Sequence, residues 1–233
     1  MSREKSLKEI ELHKDLALSK LSNYLDSILH TRPKNVDLIS YWLEDYTTYL
    51  NKESSFNPST LIKYRRGDIV KVNFGYRVSA ELGGLHLAIV IDAKNSTKSD
   101  TLTIIPLKSY KDGKLTRYEV NIGNYIYEQL IDKINKKLDS LEPEKPINIE
   151  DIKKAEEYHR DVINTLKMIS QINRLKEGSV VSVSQLTTVS KIRIYQPKNK
   201  NDLFYNIRLD KKTQKLVDDK IKELFLPDYN VGL

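Results

Sequence analysis

An α+β fold is predicted for this 233-residue chain by three observations. Apolar residues recur at helical spacing near the N-terminus and again in the middle of the chain. Between and after those stretches, short runs rich in Val, Ile and Thr, bounded by Gly, Asn, Asp and Ser, read as strands. The period changes across a linker at Asn57-Pro58. Short strands at this spacing predict a small, strongly bent sheet or barrel, with a helical pair before it and a helical hairpin inserted between its strands.

Taken in order, Leu18, Leu21, Leu25 and Ile28 share one face of a helix from about Ser6 to Leu29. Arg32-Pro33 stops it, because proline lacks the amide donor and restricts the residue before it. Val36, Ile39, Leu43, Tyr46 and Leu50, with Trp42 beside them, mark a second helix from about Asn35 to Leu50. Strands are expected at Asp68 to Phe74, Leu85 to Ile91, Thr101 to Leu107 and Arg117 to Ile122, and the pattern resumes at Ser179 to Val183 and Leu203 to Leu209. Between these groups, Tyr127, Ile131, Ile134, Leu138 and Leu141 form one stripe, and Ile152, Ala155, His159, Val162, Leu166 and Ile169 another. Glu142-Pro143-Glu144-Lys145-Pro146 separates the stripes, which predicts a hairpin. Each stripe is too short for an independent coiled coil, so the hairpin is expected to pack on the N-terminal pair as a helical layer. A last helix runs from about Lys212 to Phe225, before Pro227. The organisation is thus a helical region at 1–60 and a barrel-like region at 64–226, interrupted by the hairpin at 123–175.

Composition narrows the chemistry. With 39% hydrophobic residues the chain can bury a substantial core. No apolar run approaches the roughly 18 residues that span a bilayer, and the N-terminus lacks a secretory apolar region, so a cytoplasmic protein is expected. Cysteine is absent, which removes disulfides, a thiol nucleophile and thiolate metal ligands. The four histidines, His13, His30, His86 and His159, are not at ligand spacing, and neither a metal nor a cofactor is expected. The net charge of +7 fits a polyanionic partner, although lysine-rich composition alone also produces it.

The motifs lie at the expected strand ends. Arg66-Gly67-Asp68-Ile69-Val70 resembles the opening strand of the MazF/PemK endoribonuclease toxins. Glu81-Leu82-Gly83-Gly84-Leu85-His86 resembles their Glu-x-Gly-Gly-x-Arg turn, followed by the strand Ala88-Ile89-Val90-Ile91. Thr103-Ile104-Ile105-Pro106-Leu107-Lys108-Ser109 resembles the third strand, and Ser184-Gln185-Leu186-Thr187-Thr188-Val189-Ser190-Lys191-Ile192-Arg193 a later Gln-x-Arg-Thr segment. The resemblance covers roughly 64–122 and 178–226, leaving out the N-terminal helices and the hairpin. It implies an SH3-like barrel of the MazF/PemK/CcdB type, a homodimer, and a cognate antitoxin protein. The implied reaction is metal-independent cleavage of single-stranded RNA, in which the ribose 2′-hydroxyl attacks the neighbouring phosphorus.

That chemistry requires a base for the 2′-hydroxyl proton, an acid for the leaving oxygen, and cations for the developing phosphorane charge. Where the family typically has an arginine after the glycine pair, this chain has His86, and where it has a threonine after the third strand, this chain has Lys108 with Ser109 beside it. Histidine, with an ordinary pKa of ~6.5, suits proton transfer near neutral pH; packing at a strand start is its other reading. His86, Lys108 and Ser109 are the candidate catalytic residues. Arg77, Glu81, Gly83, Gly84, Gln185 and Arg193 are the candidate RNA contacts, with solvated charges and a plain tight turn as the alternatives. Thr187 stands where relatives often carry arginine. Loss of both usual catalytic types leaves a second function open, a non-catalytic RNA-binding or protein-interaction module. The extra helices read equally as a built-in cover, an antitoxin platform or a dimer support.

Overall fold

Ser6 begins the first helix with a reciprocal cap: the Glu9 amide donates to Ser6 Oγ at 3.3 Å, and the Ser6 amide donates to the Glu9 carboxylate at 2.7 Å. The computed structural model describes residues 4–111, 113–140 and 152–226, and it divides into two units, 1–54 and 55–233. In the first, α1 (Leu7–Ile28) and α2 (Pro33–Glu53) form a helical hairpin. Pro33 both ends the connection and opens α2, where its missing amide is not needed. Leu21, Leu25 and Ile28 of α1 are half-buried, as are Val36, Trp42 and Leu43 of α2, and Ile39 is buried.

The second unit is built on β1 (Ile69–Asn73), β2 (Leu85–Val90) and β3 (Thr101–Ser109), an antiparallel meander with Ile69 opposite Ile89 and Ile89 opposite Ile105. Alternation sends Ile69, Ile89, Ile105 and Leu107 into the larger core, and Val70, Val72, Ala88, Val90 and Ile104 into a smaller one with Tyr64 and Phe74. The outer edge of β3 is divided. Thr101–Ile104 pairs with β6 (Thr187–Ser190), and Leu107–Ser109 with β5 (Ser179–Ser182), which also pairs with β4 (Glu119–Asn121). A short turn, Lys191–Arg193, then carries the chain to β7 (Ile194–Gln196) on the far edge, against β1. So short a step between the two edges requires a sharply bent sheet. No ladder joins β6 to β7 among the described residues, so the sheet is not closed by hydrogen bonds. Buried Lys191 fixes the crossing by donating through Nζ to the Ser96 carbonyl at 2.8 Å.

Each residue of the Arg66-Gly67-Asp68 motif has a structural task. Arg66 pairs with Asp218 of α5 (Lys211–Phe225), and Asp68 accepts from the Arg65 amide at 2.7 Å and from Arg208 Nε at 2.6 Å. Gly67 has φ +83°, and a Cβ there would stand 2.5 Å from Gln214 of the same helix. Val217, Ile221 and Leu224 of α5 pack on the larger core.

The inserted helices α3 (Tyr125–Asp139) and α4 (Ile152–Ile172) place Ile126, Leu130, Ile134 and Ile172 in the sheet's own larger core. On α3 the innermost line is Ile126, Leu130 and Ile134, with Tyr127 and Ile131 packed beside it. On α4, His159 and Leu166 are exposed and Thr165 is buried. Thr165 fits because its hydroxyl donates to the Asp161 carbonyl at 2.8 Å. The expected turn at 142–146 and Leu141 lie outside the described residues.

The expected strand at Leu203 to Leu209 is corrected. Only Asp68 and Arg208 make an isolated bridge there. Several carbonyls there go to α3 instead: Lys133 Nζ donates to Asp202, Leu203 and Tyr205 at 3.0, 2.9 and 3.0 Å. Gln129 brackets Arg208, donating to its carbonyl at 3.0 Å and accepting from its amide at 3.3 Å. With these groups met by side chains, and only Ile207 and Leu209 bonded to the backbone of Ile69 and Gly67, the segment forms no ladder. β6 and β7 were not expected as strands.

Candidate functional site

The glycine pair is a turn before it is anything else. The Phe74 amide donates to the Gly84 carbonyl, and the Gly84 amide to the Gly75 carbonyl, both at 2.8 Å, so β1 and β2 are closed at their tips. A Cβ on Gly83 would stand 2.8 Å from the Gly75 oxygen and 3.1 Å from Arg77 Cγ, too close for any larger residue without movement. Two residues on, His86 sits opposite Val72 of β1. The β2–β3 ladder ends at Ala88 and Pro106, a residue with no amide hydrogen to give, and continuing its register puts Lys108 across from His86.

His86 is half-buried. Burial lowers its pKa below the ordinary histidine value, against the pull of the Leu107 and Gly83 backbone carbonyls, which favour the protonated ring. The imidazole is therefore neutral at pH 7, the form that accepts a proton.

A cavity of about 840 Å³ opens beside it. His86, Lys108 and Ser109 all line it, together with Lys71, Lys111 and Lys114 and with an apolar wall that includes Leu107, Leu175 and Phe204. Lys71 Nζ lies 5.2 Å from the centroid of the exposed Tyr195 ring, and Tyr110 lines the cavity as well. Lys108 is not an isolated charge: it pairs with Glu119 of β4. Burial raises the Glu119 pKa, but hydrogen bonds from Lys108 and Thr116 outweigh it and hold the carboxyl below its usual range.

The candidate RNA contacts fall into a different group. Arg77, Glu81 and Gln185 line a second cavity of about 300 Å³ with Phe74, Pro106 and Thr187. There Arg77 Nε donates to the Phe74 carbonyl at 2.9 Å and its NH1 stands 3.8 Å from Glu81. Gln185 accepts from the Leu82 amide at 3.3 Å, tying the loop ahead of the glycines to the 183–185 turn. Arg193 lines neither cavity; its Nε donates to the Asn73 carbonyl at 2.9 Å. Among the described residues no group of three or more His, Asp or Glu side chains is arranged to hold a metal, and no helix is long and apolar enough to cross a membrane.

Residues 65–141 match the PemK-like, MazF-like toxins of type II toxin–antitoxin systems. The matched segment covers about a third of the chain. It runs from the Arg66-Gly67-Asp68 turn through β1 to β4 and α3, and it contains His86, Lys108, Ser109 and the glycine turn. The match includes the first inserted helix, which the motif resemblance left out, and ends before β5 to β7. No curated protein matches the chain.

Several site residues lay outside the motifs. Lys71 was within reach of sequence reasoning, since it stands between buried Val70 and Val72 and must face the other side of β1. Glu119, Lys111, Lys114, Leu175 and Phe204 gave no comparable signal, because only tertiary folding brings them to His86.

Proposed function

We propose that the protein is an endoribonuclease toxin of a type II toxin–antitoxin module: a cytoplasmic homodimer on an SH3-like barrel that cleaves single-stranded RNA without a metal and is restrained by a cognate antitoxin protein. The observation that carries this is the meeting of His86, Lys108 and Ser109 with Lys71, Lys111 and Lys114 in one cavity, within the segment that matches the toxin family. The division of β3 between β5 and β6, and the short crossing to β7, support the barrel reading.

In this mechanism neutral His86 takes the proton of the ribose 2′-hydroxyl as its oxygen attacks the adjacent phosphorus. Lys71 and Lys108 face the charge that builds on the phosphorane oxygens, and Ser109 hydrogen-bonds the phosphate. The bond from phosphorus to the 5′ oxygen breaks, and that oxygen leaves with a proton from a cavity ammonium group or water. The products are a 2′,3′-cyclic phosphate and a 5′-hydroxyl.

The test is incubation with a long single-stranded RNA in EDTA, with fragment ends mapped and His86→Ala alongside. Cleavage giving these ends, lost in the variant, is the expected result; cleavage that His86→Ala leaves intact would remove the histidine from the mechanism. The Lys108–Glu119 pair and the carbonyls around the imidazole favour a second reading, a barrel that binds RNA or protein without cutting. Intact RNA at high protein excess would select it.

A further inference from the structure

A third depression, of about 200 Å³, is charged out of proportion to its size. Its lining includes Lys63, Arg65, Lys200 and Arg208, against the single carboxylate of Asp68. That carboxylate is already engaged by the Arg65 amide and by Arg208 Nε, at 2.7 and 2.6 Å. The nearby Asp202 carboxylate is turned to its own loop, accepting from the Asn199 amide at 3.2 Å. Lys63, Arg65 and Lys200 are exposed, and among the described residues their side chains enter no ion pair.

This depression adjoins the His86 cavity. Phe204, only 4% exposed, lines both. The β1–β7 register makes a second link: Lys71 of the His86 cavity stands opposite Gln196, and the next residue, Pro197, lines the depression. Lys114, Lys111, Lys71, Lys200 and Arg65 thereby border two adjoining hollows. Phe204 holds its place because Lys133 and Gln129 of α3 bind the backbone on either side of it.

We propose that the Lys63–Arg65–Lys200 depression is a second backbone subsite for single-stranded RNA, holding phosphates of nucleotides outside the scissile step. This rests on the ribonuclease reading and adds to it a substrate path whose far wall is held by the inserted helix. The shared Phe204 wall and the neighbouring lysines of the His86 cavity favour a nucleic acid over an acidic protein segment.

The test uses the full chain and fluorescent 2′-O-methyl oligonucleotides, which lack the attacking hydroxyl, of about four and about twelve nucleotides, within the range of single-strand site sizes. For the wild type the longer probe binds more tightly. In Lys63→Ala/Arg65→Ala/Lys200→Ala, long-probe affinity falls about 100-fold at 0.1 M salt and the salt slope of log affinity falls by about 2, at about 0.7 per phosphate contact. The short probe is unaffected. Lys200→Glu, a single exposed change, is expected to lower long-probe affinity in the same direction. Wild-type binding of both probes with no change in the triple variant would overturn the subsite while leaving the ribonuclease reading in place. Failure of both probes to bind the wild type would overturn both. Displacement of the long probe by polyglutamate as readily as by unlabelled RNA would assign the depression to an acidic protein and overturn the proposal.

Discussion

Replacing Lys133 by methionine isolates what one inserted side chain contributes. Methionine keeps the length of the stem and removes the ammonium, leaving the carbonyls of Asp202, Leu203 and Tyr205 without the donor that now reaches them at 3.0, 2.9 and 3.0 Å. Hydrogen bonds to a charged group are worth about 1.5–3 kcal/mol each, but three on one ammonium are not additive. Asp202 and Tyr205 are only half-buried, so water recovers part of the loss at their carbonyls, whereas Leu203 is buried. Burial also pushes the Lys133 ammonium below the ordinary lysine pKa, against the opposing charge of Asp202, so relief of that desolvation offsets part of the cost. The expected net loss is about 2–3 kcal/mol, set mainly by one buried carbonyl and the loosening around it. In a unit of this size that corresponds to a melting point lower by about 5–10 °C.

Amide hydrogen exchange locates the effect. The Ile69 amide donates to the Ile207 carbonyl at 2.9 Å and the Leu209 amide to the Gly67 carbonyl at 3.0 Å, so both depend on the segment that Lys133 fixes. Faster exchange at these two amides, with α1 and α2 unchanged, is expected. A loss below about 0.5 kcal/mol with unchanged exchange would refute the clamp, since a half-buried ammonium and three acceptors, one of them on buried Leu203, cannot be separated at so small a cost.

Other perturbations follow from the site. With the neutral His86 ring as the proposed base and its pKa lowered by burial, cleavage should rise with pH through an apparent pKa below 6.5 and then level off; a kcat/KM profile that falls across that range would contradict the assignment. The same shift bears on stability. The folded state holds the His86 proton less tightly than the unfolded state, so stability drops as pH falls from the unfolded histidine value to the folded one, and His86→Phe should flatten that limb in denaturant titrations. Gly83→Ala should cost about 1–3 kcal/mol, because its Cβ would meet the Gly75 carbonyl at 2.8 Å, and a denaturation midpoint equal to wild type would show that the turn yields. Glu119→Gln should strengthen RNA binding several-fold in anisotropy titrations by releasing Lys108, with the salt slope steeper by about 0.7. Because the Glu119 pKa is held low, the stability its carboxylate adds is present above the unfolded glutamate value and lost as pH falls through the folded one, a loss the variant should not show.

The errors of sequence reading have local causes. Leu203, Tyr205, Ile207 and Leu209 alternate as a strand would, and Leu203, Ile207 and Leu209 do enter the larger core. Alternation reports which side chains are buried, not what satisfies the backbone, and here much of that role belongs to Lys133 and Gln129, some seventy residues earlier. β6 and β7 are four and three residues long, too short for a period to emerge. By contrast, α1 announced itself through its apolar face, and β1 to β3 through composition alone. At the site, the motif led to His86, Lys108 and Ser109, which line one cavity. The same motif placed Arg77, Glu81 and Gln185 in another, because Gln185 holds the loop ahead of the glycines and those contacts cross the fold.

The inserted helices enter and leave the sheet at almost one point. Asn121 of β4 pairs with Val180 of β5, the Ile122 amide donates to the Ser179 carbonyl at 3.0 Å, and the Ser179 amide donates to the Gly123 carbonyl at 2.7 Å. For the sheet, the whole excursion is therefore a hairpin connection, and once its ends are fixed, added length costs little further loop entropy. That explains how the sheet accommodates so long a connection; the core shows what the connection contributes. Ile126, Leu130, Ile134 and Ile172 are buried among Ile105, Leu107 and Phe204, each side chain contributing roughly 1.5–3 kcal/mol of apolar burial. Lys133 and Gln129 extend that packing to the backbone around Phe204, the residue the His86 cavity shares with its neighbouring depression. An added segment that touched only the surface could change without consequence for the site. This one supplies part of the core behind the cavity and fixes the backbone around Phe204, so substitutions on α3 far from any candidate catalytic group bear on the cavity wall.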